Sequence, residues 1–307
     1  MQSEIRHPIA TPILVTGGTG TLGRHVVEQL RDAGRDVRVL SRQSRESEDG
    51  VEFLTGDLAT GEGVDAAVDG AEIIVHLAGS SKGDEVKARH LVEAASRTGV
   101  RHMIYIPVVG AERIPMAGAL DRAMFGYFGS KVAAERIIAG SGLSWTTLRA
   151  TQFHDLTFKT VEQMAKLPII PVPSGFRFQP IDAREVSSRL VELALGAPAG
   201  LVPDLGWPRA YEMAELVRSY LRASGRRQRP ILGLRMPGKA AAAFRKGRIS
   251  RRTAPWAADP GRTSWQHGWQ HHKYSGRVRP VASPKAHRST SGGVRPKLDS
   301  AVQIWLR

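Results

Sequence analysis

The chain has 307 residues, 41% of them hydrophobic, no cysteine and a formal net charge of +15. This length allows one α/β domain with a small additional lobe, and the absence of cysteine excludes disulfides, thiolate metal sites and a cysteine nucleophile. The N-terminal residues lack the apolar run of a signal peptide, and no apolar run is long enough to span a bilayer. We therefore expect a cytoplasmic protein with no membrane partner.

Short β-branched runs alternate with amphipathic helical patterns over the first half of the chain. Six strands are predicted in the segments PILVTGG, DVRVLSR, VEFLTGD, AEIIVHLAG, RHMIYIPVVG and LSWTTLRA. Helices are predicted after the first and fourth strands, and a further helix from Phe125 to about Ala139. Strands that alternate with helices in this way predict right-handed crossovers and an α/β fold with a doubly wound parallel sheet, the Rossmann architecture.

A glycine-rich turn follows the first strand and opens the first helix. Its glycines allow a tight turn and a close approach of the backbone to a pyrophosphate, whose charge faces the helix N-terminus. Strand, turn and helix together predict a dinucleotide site, with a structural glycine turn as the alternative. The residues predicted to bind the cofactor here are Gly17, Thr19, Gly20, Thr21, Leu22 and Gly23.

The end of the second strand bears on the choice between NADP(H) and NAD(H). A carboxylate there would bind the ribose 2′-hydroxyl of NAD, but this chain has Ser41 and Arg42, and no acid before Glu46. Arginine suits a 2′-phosphate, so NADP(H) is the expected cofactor and NAD(H) is the alternative. The alternative for Arg42 is a solvated side chain. After the third strand, Asp57 is predicted to accept a hydrogen bond from the adenine amino group, and its alternative is to cap the next helix. Leu58 is also predicted to bind the cofactor.

Beyond the sixth strand, two helical patterns flank a Gly- and Pro-rich stretch. We interpret residues 10–150 as the dinucleotide-binding domain and residues 151–247 as a small substrate lobe that completes the fold. The lobe is expected over the carboxyl edge of the sheet, where ligands of such folds bind.

The segments TGGTGTLG, GDL, HLAG and YFGSK together resemble the short-chain dehydrogenase/reductase superfamily. LRATQFHD and QPIDAREVSSRLVELAL are similar to its atypical NmrA-like branch, whose members are also described as nucleotide-sugar-epimerase-like, and the resemblance covers roughly residues 10 to 245. It implies that Ala78 and Gly79 contact the cofactor and that Tyr127 is the general acid/base. It also implies that Lys131 holds the nicotinamide ribose and lowers the pKa of the tyrosine by its charge.

The alternative is that Tyr127 and Lys131 are two polar residues one helical turn apart, since such a spacing also arises by chance. Their position supports the catalytic interpretation, because the pair is predicted to open the helix between strands five and six. One feature departs from the superfamily pattern. Pro107, Val108 and Val109 stand where a serine would polarise the substrate carbonyl, and loss of such a donor costs about 10²- to 10³-fold in rate.

The segment after strand six is predicted to meet the substrate. Its candidate residues are Thr151, Gln152, Phe153 and His154. Thr151, Gln152 and His154 are the candidates to replace the missing serine. Phe153 is expected to pack against the nicotinamide ring. For His154 a hydrogen bond to loop backbone is the alternative.

Residues 248–307 have neither strand nor helix periodicity, and hold 12 Lys and Arg against two acidic residues. They are interpreted either as a natural basic tail or as a frame-shifted reading of a GC-rich gene. No nucleic-acid-binding module is recognisable there, so nucleic acid is not an expected partner. His267, His271 and His272 lie close together, but Gly268 and the lack of a nearby acid argue against a metal site.

Two functions follow from these patterns. The first is an NADP(H)-dependent oxidoreductase of the atypical short-chain type, acting on a small carbonyl, alcohol or quinone-like substrate, with Tyr127 relaying the proton. The second is a non-catalytic, NAD(P)-binding redox-sensing regulator with a protein partner. The missing serine and the NmrA-like resemblance favour the second.

Overall fold

The computed structural model describes residues 11–47 and 50–247. The central strands are β1 (Ile13–Thr16), β2 (Val37–Ser41), β3 (Val51–Thr55), β4 (Ile73–His76), β5 (His102–Tyr105) and β6 (Trp145–Thr147). Five short strands follow: β7 (Ile170–Pro173), β8 (Arg177–Phe178), β9 (Gly200–Leu201), β10 (Tyr211–Glu212) and β11 (Ile231–Leu234). The helices are α1 (Gly23–Asp32), α2 (Val64–Val68), α3 (Asp84–Ala95), α4 (Ala119–Ala139), α5 (His154–Met164), α6 (Ala183–Leu195), α7 (Met213–Ala223) and α8 (Lys239–Arg245), with a 3₁₀ turn at Ala111–Arg113.

Seven parallel strands form the central sheet in the order β3-β2-β1-β4-β5-β6-β9. The chain runs outward from β1 to β3, returns to β4 beside β1, and then runs outward in the other direction. The prediction of a doubly wound parallel sheet, with all six predicted strands, is confirmed. This order creates a crevice between the carboxyl ends of β1 and β4, where ligands of open α/β sheets bind.

The strands are apolar because both faces of the sheet are covered by helices. In β1, the alternating side chains enter two different layers: Ile13 and Val15 pack with α1 and α6, whereas Leu14 packs with α2, α3 and α4. A hydrogen bond of 2.9 Å from Gln29 Nε2 to Ser187 Oγ also ties α6 to α1. The two layers hold the strand ends rigidly below the site.

Helix α4 begins at Ala119, not at Phe125 as the sequence pattern predicted. Gly118 is extended and serves as the N-cap, and the residues between it and Gly126 include no helix breaker, so the helix extends two turns further toward its N-terminus. Tyr127 therefore lies in the third turn and does not open the helix.

The region predicted as the substrate lobe contributes to two parts of the structure. Helices α5, α7 and α8, the parallel pair β7–β11 and the antiparallel pair β8–β10 surround one apolar core above the sheet. Helix α6 and strand β9 instead return to the central sheet. Residues 248–307, with both interpretations of that segment, and the histidines 267, 271 and 272 lie outside the described residues. Of the helices that the structure describes, none has the length and apolarity needed to cross a bilayer.

Candidate functional site

The glycine-rich turn between β1 and α1 is shaped by contacts that exclude a side chain. Gly17 has a φ of +72°, and a β-carbon there would lie 2.8 Å from the backbone nitrogen of Ala78. A β-carbon on Gly23 would overlap the carbonyl oxygen of Gly17. Gly20 is different, because only the Gly17 oxygen, at 3.2 Å, would meet its β-carbon. The first turn of α1 has no side-chain cap, which leaves backbone N–H groups for an anion.

A cavity of about 650 Å³ lies between this turn, the carboxyl ends of the strands and the lobe. Its size is within the range of about 300–1,000 Å³ for small-molecule sites. The residues predicted for the site that line it are Gly17, Gly20, Thr21, Leu22, Gly23, Gly79, Tyr127, Lys131, Thr151, Gln152 and Phe153. The glycine turn, the tyrosine–lysine pair and the segment after β6 therefore share one cavity.

Seven of the predicted residues do not line this cavity: Thr19, Ser41, Arg42, Asp57, Leu58, Ala78 and His154. Asp57 Oδ1 accepts a hydrogen bond of 2.8 Å from the N–H of Ala59, so it caps a turn rather than α2, which begins at Val64. Leu58 is buried in the core. Thr19 and Arg42 are exposed, Arg42 directly after β2. The residues predicted to meet the adenosine therefore lie outside this cavity.

Tyr127 and Lys131 lie together on the cavity wall formed by α4. The Lys131 ammonium is 5.3 Å from the centre of the Tyr127 ring. Gly79 leaves the space that this ammonium fills, since a β-carbon there would overlap Lys131 Nζ. The Tyr127 hydroxyl has no hydrogen-bond partner among the described residues. It is available to a ligand in the cavity.

Asp84, at the start of α3, is a site residue that the sequence did not reveal. Its Oδ2 lies 2.6 Å from Lys131 Nζ, and the two side chains are 1% and 8% exposed. Its Oδ1 accepts a hydrogen bond of 2.8 Å from the N–H of Ser80 and lies 3.3 Å from Lys87 Nζ. Burial alone would raise the pKa of Asp84, but the charge and hydrogen bond of Lys131, with help from Ser80 and Lys87, hold this pKa below its ordinary value. Lys131 is therefore paired with an ionised carboxylate.

The pairing changes the electrostatics of Tyr127. Burial raises the pKa of Tyr127 above its ordinary value, and the negative charge of Asp84 raises it further. The expectation that Lys131 lowers this pKa is not met, because Asp84 balances the lysine charge at close range. Tyr127 is a protonated hydroxyl at neutral pH.

A second buried polar pair, His76 and Tyr105, lies at the ends of β4 and β5. Their rings are stacked with centres 5.4 Å apart, and His76 Nδ1 shares a hydrogen bond of 2.7 Å with Thr16 Oγ1. Burial lowers the pKa of His76 to about 3 and raises that of Tyr105. Both side chains are neutral near pH 7, so they add no charge near the Asp84–Lys131 pair.

The segment after β5, where the superfamily pattern has a serine, is apolar in the structure. Pro107 and Val108 line the cavity, and Val109 is fully buried. The Thr151 hydroxyl donates to the Gln179 carbonyl at 2.6 Å, and the buried His154 ring is hydrogen-bonded to the Pro180 carbonyl, the alternative foreseen for it.

Gln152 offers a second donor group to the cavity. Its Oε1 accepts from the N–H of Gln179 at 3.3 Å, so its amide NH₂ is the free end, with no partner among the described residues. Both Gln152 and Tyr127 line the cavity. Within the described residues, no group of three or more His, Cys, Asp or Glu side chains is arranged to hold a metal ion.

Residues 17–168 match a family model described as NAD(P)H-binding. A ceramide reductase of Caulobacter vibrioides is 28% identical over 240 residues, which cover 71% of this chain and 72% of the relative. The photosystem II assembly factor Ycf39 of a Synechocystis species is 25% identical over 153 residues, 46% of this chain and 44% of that protein. An Escherichia coli NADPH-dependent quinone oxidoreductase, solved with NADPH, superposes with a TM-score of 0.69 at 17% identity over 85% of this chain and 99% of the other. This last likeness concerns the fold alone.

Proposed function

We propose that the chain is an NADP(H)-dependent oxidoreductase related to the atypical short-chain dehydrogenases/reductases, because residues 17–168 match a family model described as NAD(P)H-binding. Its substrate would be a carbonyl compound, an alcohol or a quinone-like molecule. The observation that carries the proposal is the single cavity that the glycine turn, Tyr127, Lys131 and Gln152 share. A dinucleotide site beside an available phenol is the arrangement that carbonyl reduction requires.

The residues present fit a dinucleotide. The uncapped start of α1 and the space above Gly20 would hold the pyrophosphate, and Lys131 would hold the nicotinamide ribose. When bound, a reduced nicotinamide supplies a hydride, with its electron pair, to the carbonyl carbon and leaves as the oxidised ring. Arg42, exposed after β2, is proposed to meet a 2′-phosphate, which would give the preference for NADP(H).

Tyr127 donates the balancing proton. Its O–H bond breaks, the proton joins the carbonyl oxygen, and the alcohol forms; solvent then reprotonates the tyrosinate. A raised pKa of Tyr127 keeps this proton in place before reaction. The Gln152 amide, which lines the same cavity, would donate a second hydrogen bond to this oxygen, in the role that a serine after β5 would have had.

A regulator that binds NAD(P) without turnover is the second candidate. Two observations favour it: the apolar wall at Pro107 and Val108, and the pairing of Lys131 with Asp84. The similarity to a protein named as an assembly factor supports it further. Its protein partner stays unidentified, and a cytoplasmic location stays a prediction from the sequence.

One experiment distinguishes the two functions. NADPH binding is measured by fluorescence, and NADPH oxidation is followed over a panel of carbonyls and quinones, for wild type, Tyr127→Phe and the control Tyr220→Phe. Tyr220 is a buried tyrosine of α7 that does not line the cavity. The oxidoreductase predicts turnover that falls about 10²- to 10⁴-fold in Tyr127→Phe and is unchanged in Tyr220→Phe. Tight NADPH binding without turnover in any of the three proteins would instead support the regulator.

A further inference from the structure

The lobe side of the cavity is built almost entirely from aromatic and sulfur-containing side chains. We call this part the aromatic chamber; its residues are Phe125, Phe128, Phe176, Phe178, Phe244 and Met236. The Phe244 ring lies 4.8 Å from that of Phe176, 5.0 Å from that of Phe125 and 5.3 Å from that of Phe128, between centres. The Phe244 ring thus packs against three other aromatic rings, and these contacts make the chamber a preformed apolar wall.

The chamber end of α8 is also fixed. Phe244 lies on α8, and the buried Asp121 of α4 accepts a hydrogen bond of 3.2 Å from the N–H of Ala240 at the start of that helix. The Arg245 guanidinium donates to the Met236 carbonyl at 2.8 Å. These hydrogen bonds at the two ends of α8 hold Phe244 in the wall of the aromatic chamber.

The polar side chains along this part of the cavity are already committed. The Thr157 hydroxyl donates to the Phe153 carbonyl at 3.1 Å and that of Thr160 to the Leu156 carbonyl at 2.8 Å, while Thr151 is bound to Gln179. Among the described side chains on this part of the cavity, the donors left for a substrate are the Tyr127 hydroxyl and the Gln152 amide. Such a chamber offers one polar point, suited to a single carbonyl oxygen.

Charge is equally restricted. Among the described residues that line the cavity, Lys131 is the charged one, and Asp84 already balances it. A phosphate or sugar-diphosphate group on the substrate would lose its hydration without gaining a cationic partner, which is strongly unfavourable.

We propose that the substrate is an uncharged, apolar carbonyl compound, a ring or alkyl chain that fills the aromatic chamber, and not a nucleotide sugar. The proposal rests on the oxidoreductase function and specifies its substrate class. Reduction is the balanced step given above, with the hydride on the carbonyl carbon and the Tyr127 proton on its oxygen.

The first test uses wild-type protein with NADPH and a series of 2-alkanones from 2-butanone to 2-nonanone. We expect kcat/KM to rise about fourfold with each methylene that the chamber buries. A flat or falling series would overturn the proposal, whatever the behaviour of any variant.

The second test places a charge at the mouth of the cavity. Leu156 lines the cavity yet is 48% exposed, so Leu156→Lys leaves the core intact. The ratio of kcat/KM for 2-methyl-1,4-naphthoquinone to that for 1,4-naphthoquinone-2-sulfonate should fall about threefold to fivefold in this variant. Leu195→Lys is the matched control, since Leu195 is 42% exposed on α6 and away from the cavity; an equal fall there, or none in Leu156→Lys, would contradict the proposal.

A binding measurement separates the substrate class from the function. Nile red, a neutral apolar dye, is titrated into protein saturated with NADPH and displaced with 2-nonanone. Dye binding that 2-nonanone displaces and that Leu156→Lys weakens supports the apolar chamber even if no substrate turns over, in which case the oxidoreductase function alone fails. Turnover that favours the sulfonated quinone, or absence of dye binding, refutes the chamber while leaving hydride transfer to be judged separately.

Discussion

Replacement of Asp84 by asparagine tests how Lys131 is kept from acting on Tyr127. The substitution preserves shape but removes the negative charge that lies 2.6 Å from the Lys131 ammonium. The lysine charge is then unmatched at a distance of 5.3 Å from the Tyr127 ring centre, so the pKa of Tyr127 should fall. Because reduction needs a proton on Tyr127, activity should be lost at lower pH than in wild type.

The magnitude follows from the two distances. Together, 2.6 Å and 5.3 Å place the Asp84 oxygen within about 8 Å of the Tyr127 ring centre. Two unit charges at about 8 Å interact by roughly 2 kcal/mol at an effective dielectric constant near 20. This energy corresponds to about 1.5 pH units. The buried Lys131 also loses its counter-charge, which should destabilise the fold by about 3 kcal/mol.

The assay is the pH profile of kcat for carbonyl reduction, measured from pH 6 to the most alkaline pH at which each protein stays folded. Burial and Asp84 both raise the pKa of Tyr127 in wild type. The alkaline decline of the Asp84→Asn profile should begin about 1.5 pH units below that of wild type. Glu85→Gln is the control: it makes the same chemical change one residue along α3, where the carboxylate accepts from the Ser130 hydroxyl instead. A folded Asp84→Asn protein whose profile matches that of wild type would refute the reasoning.

Two further substitutions probe the cofactor side. Gly20→Ala should keep the fold and weaken NADPH binding, because the new β-carbon meets only one backbone oxygen at 3.2 Å and otherwise enters the cavity. Gly23→Ala should also lower the unfolding temperature, because its β-carbon would overlap the Gly17 carbonyl. Calorimetry measures the unfolding temperature, and fluorescence titration measures NADPH binding. Arg42→Ala should weaken NADPH binding about tenfold and leave NADH binding unchanged, by loss of a charge-assisted contact to the 2′-phosphate. An equal weakening of NADPH and NADH binding would contradict a contact between Arg42 and the 2′-phosphate.

The strands of the central sheet were predictable because a strand that is buried on both faces needs apolar residues at successive positions. Segments such as Ile13–Thr16 and Ile73–His76 are fully buried and consist mostly of β-branched residues, and the turns between them carry glycine. Strand β9 was not foreseen: Gly200 and Leu201 form only two residues of ladder inside a Gly- and Pro-rich stretch. Neither residue carries a periodic pattern, and only the neighbouring β6 makes them a strand.

The spacing of Tyr127 and Lys131 and the order of the elements were visible in the sequence, and the structure places both residues on the cavity wall. The role of Asp84 did not. Its partner lies 47 positions along the chain on another helix, and the contact exists only because α3 and α4 pack against the same face of the sheet. The signal in the sequence is slight: one acidic residue three positions before Lys87, where an ordinary surface ion pair is the simpler interpretation.

The return of α6 and β9 to the central sheet also determines how the specificity of this protein can be altered by engineering. The cavity-covering elements form two inserts, His154–Phe178 and Tyr211–Arg245, with sheet-building chain between them. A chimera that exchanges everything after β6 as one cassette would replace the edge strand and the partner of α1 along with the substrate wall. Two grafts, one on each side of α6 and β9, would transfer a new specificity and leave the nucleotide-binding scaffold intact.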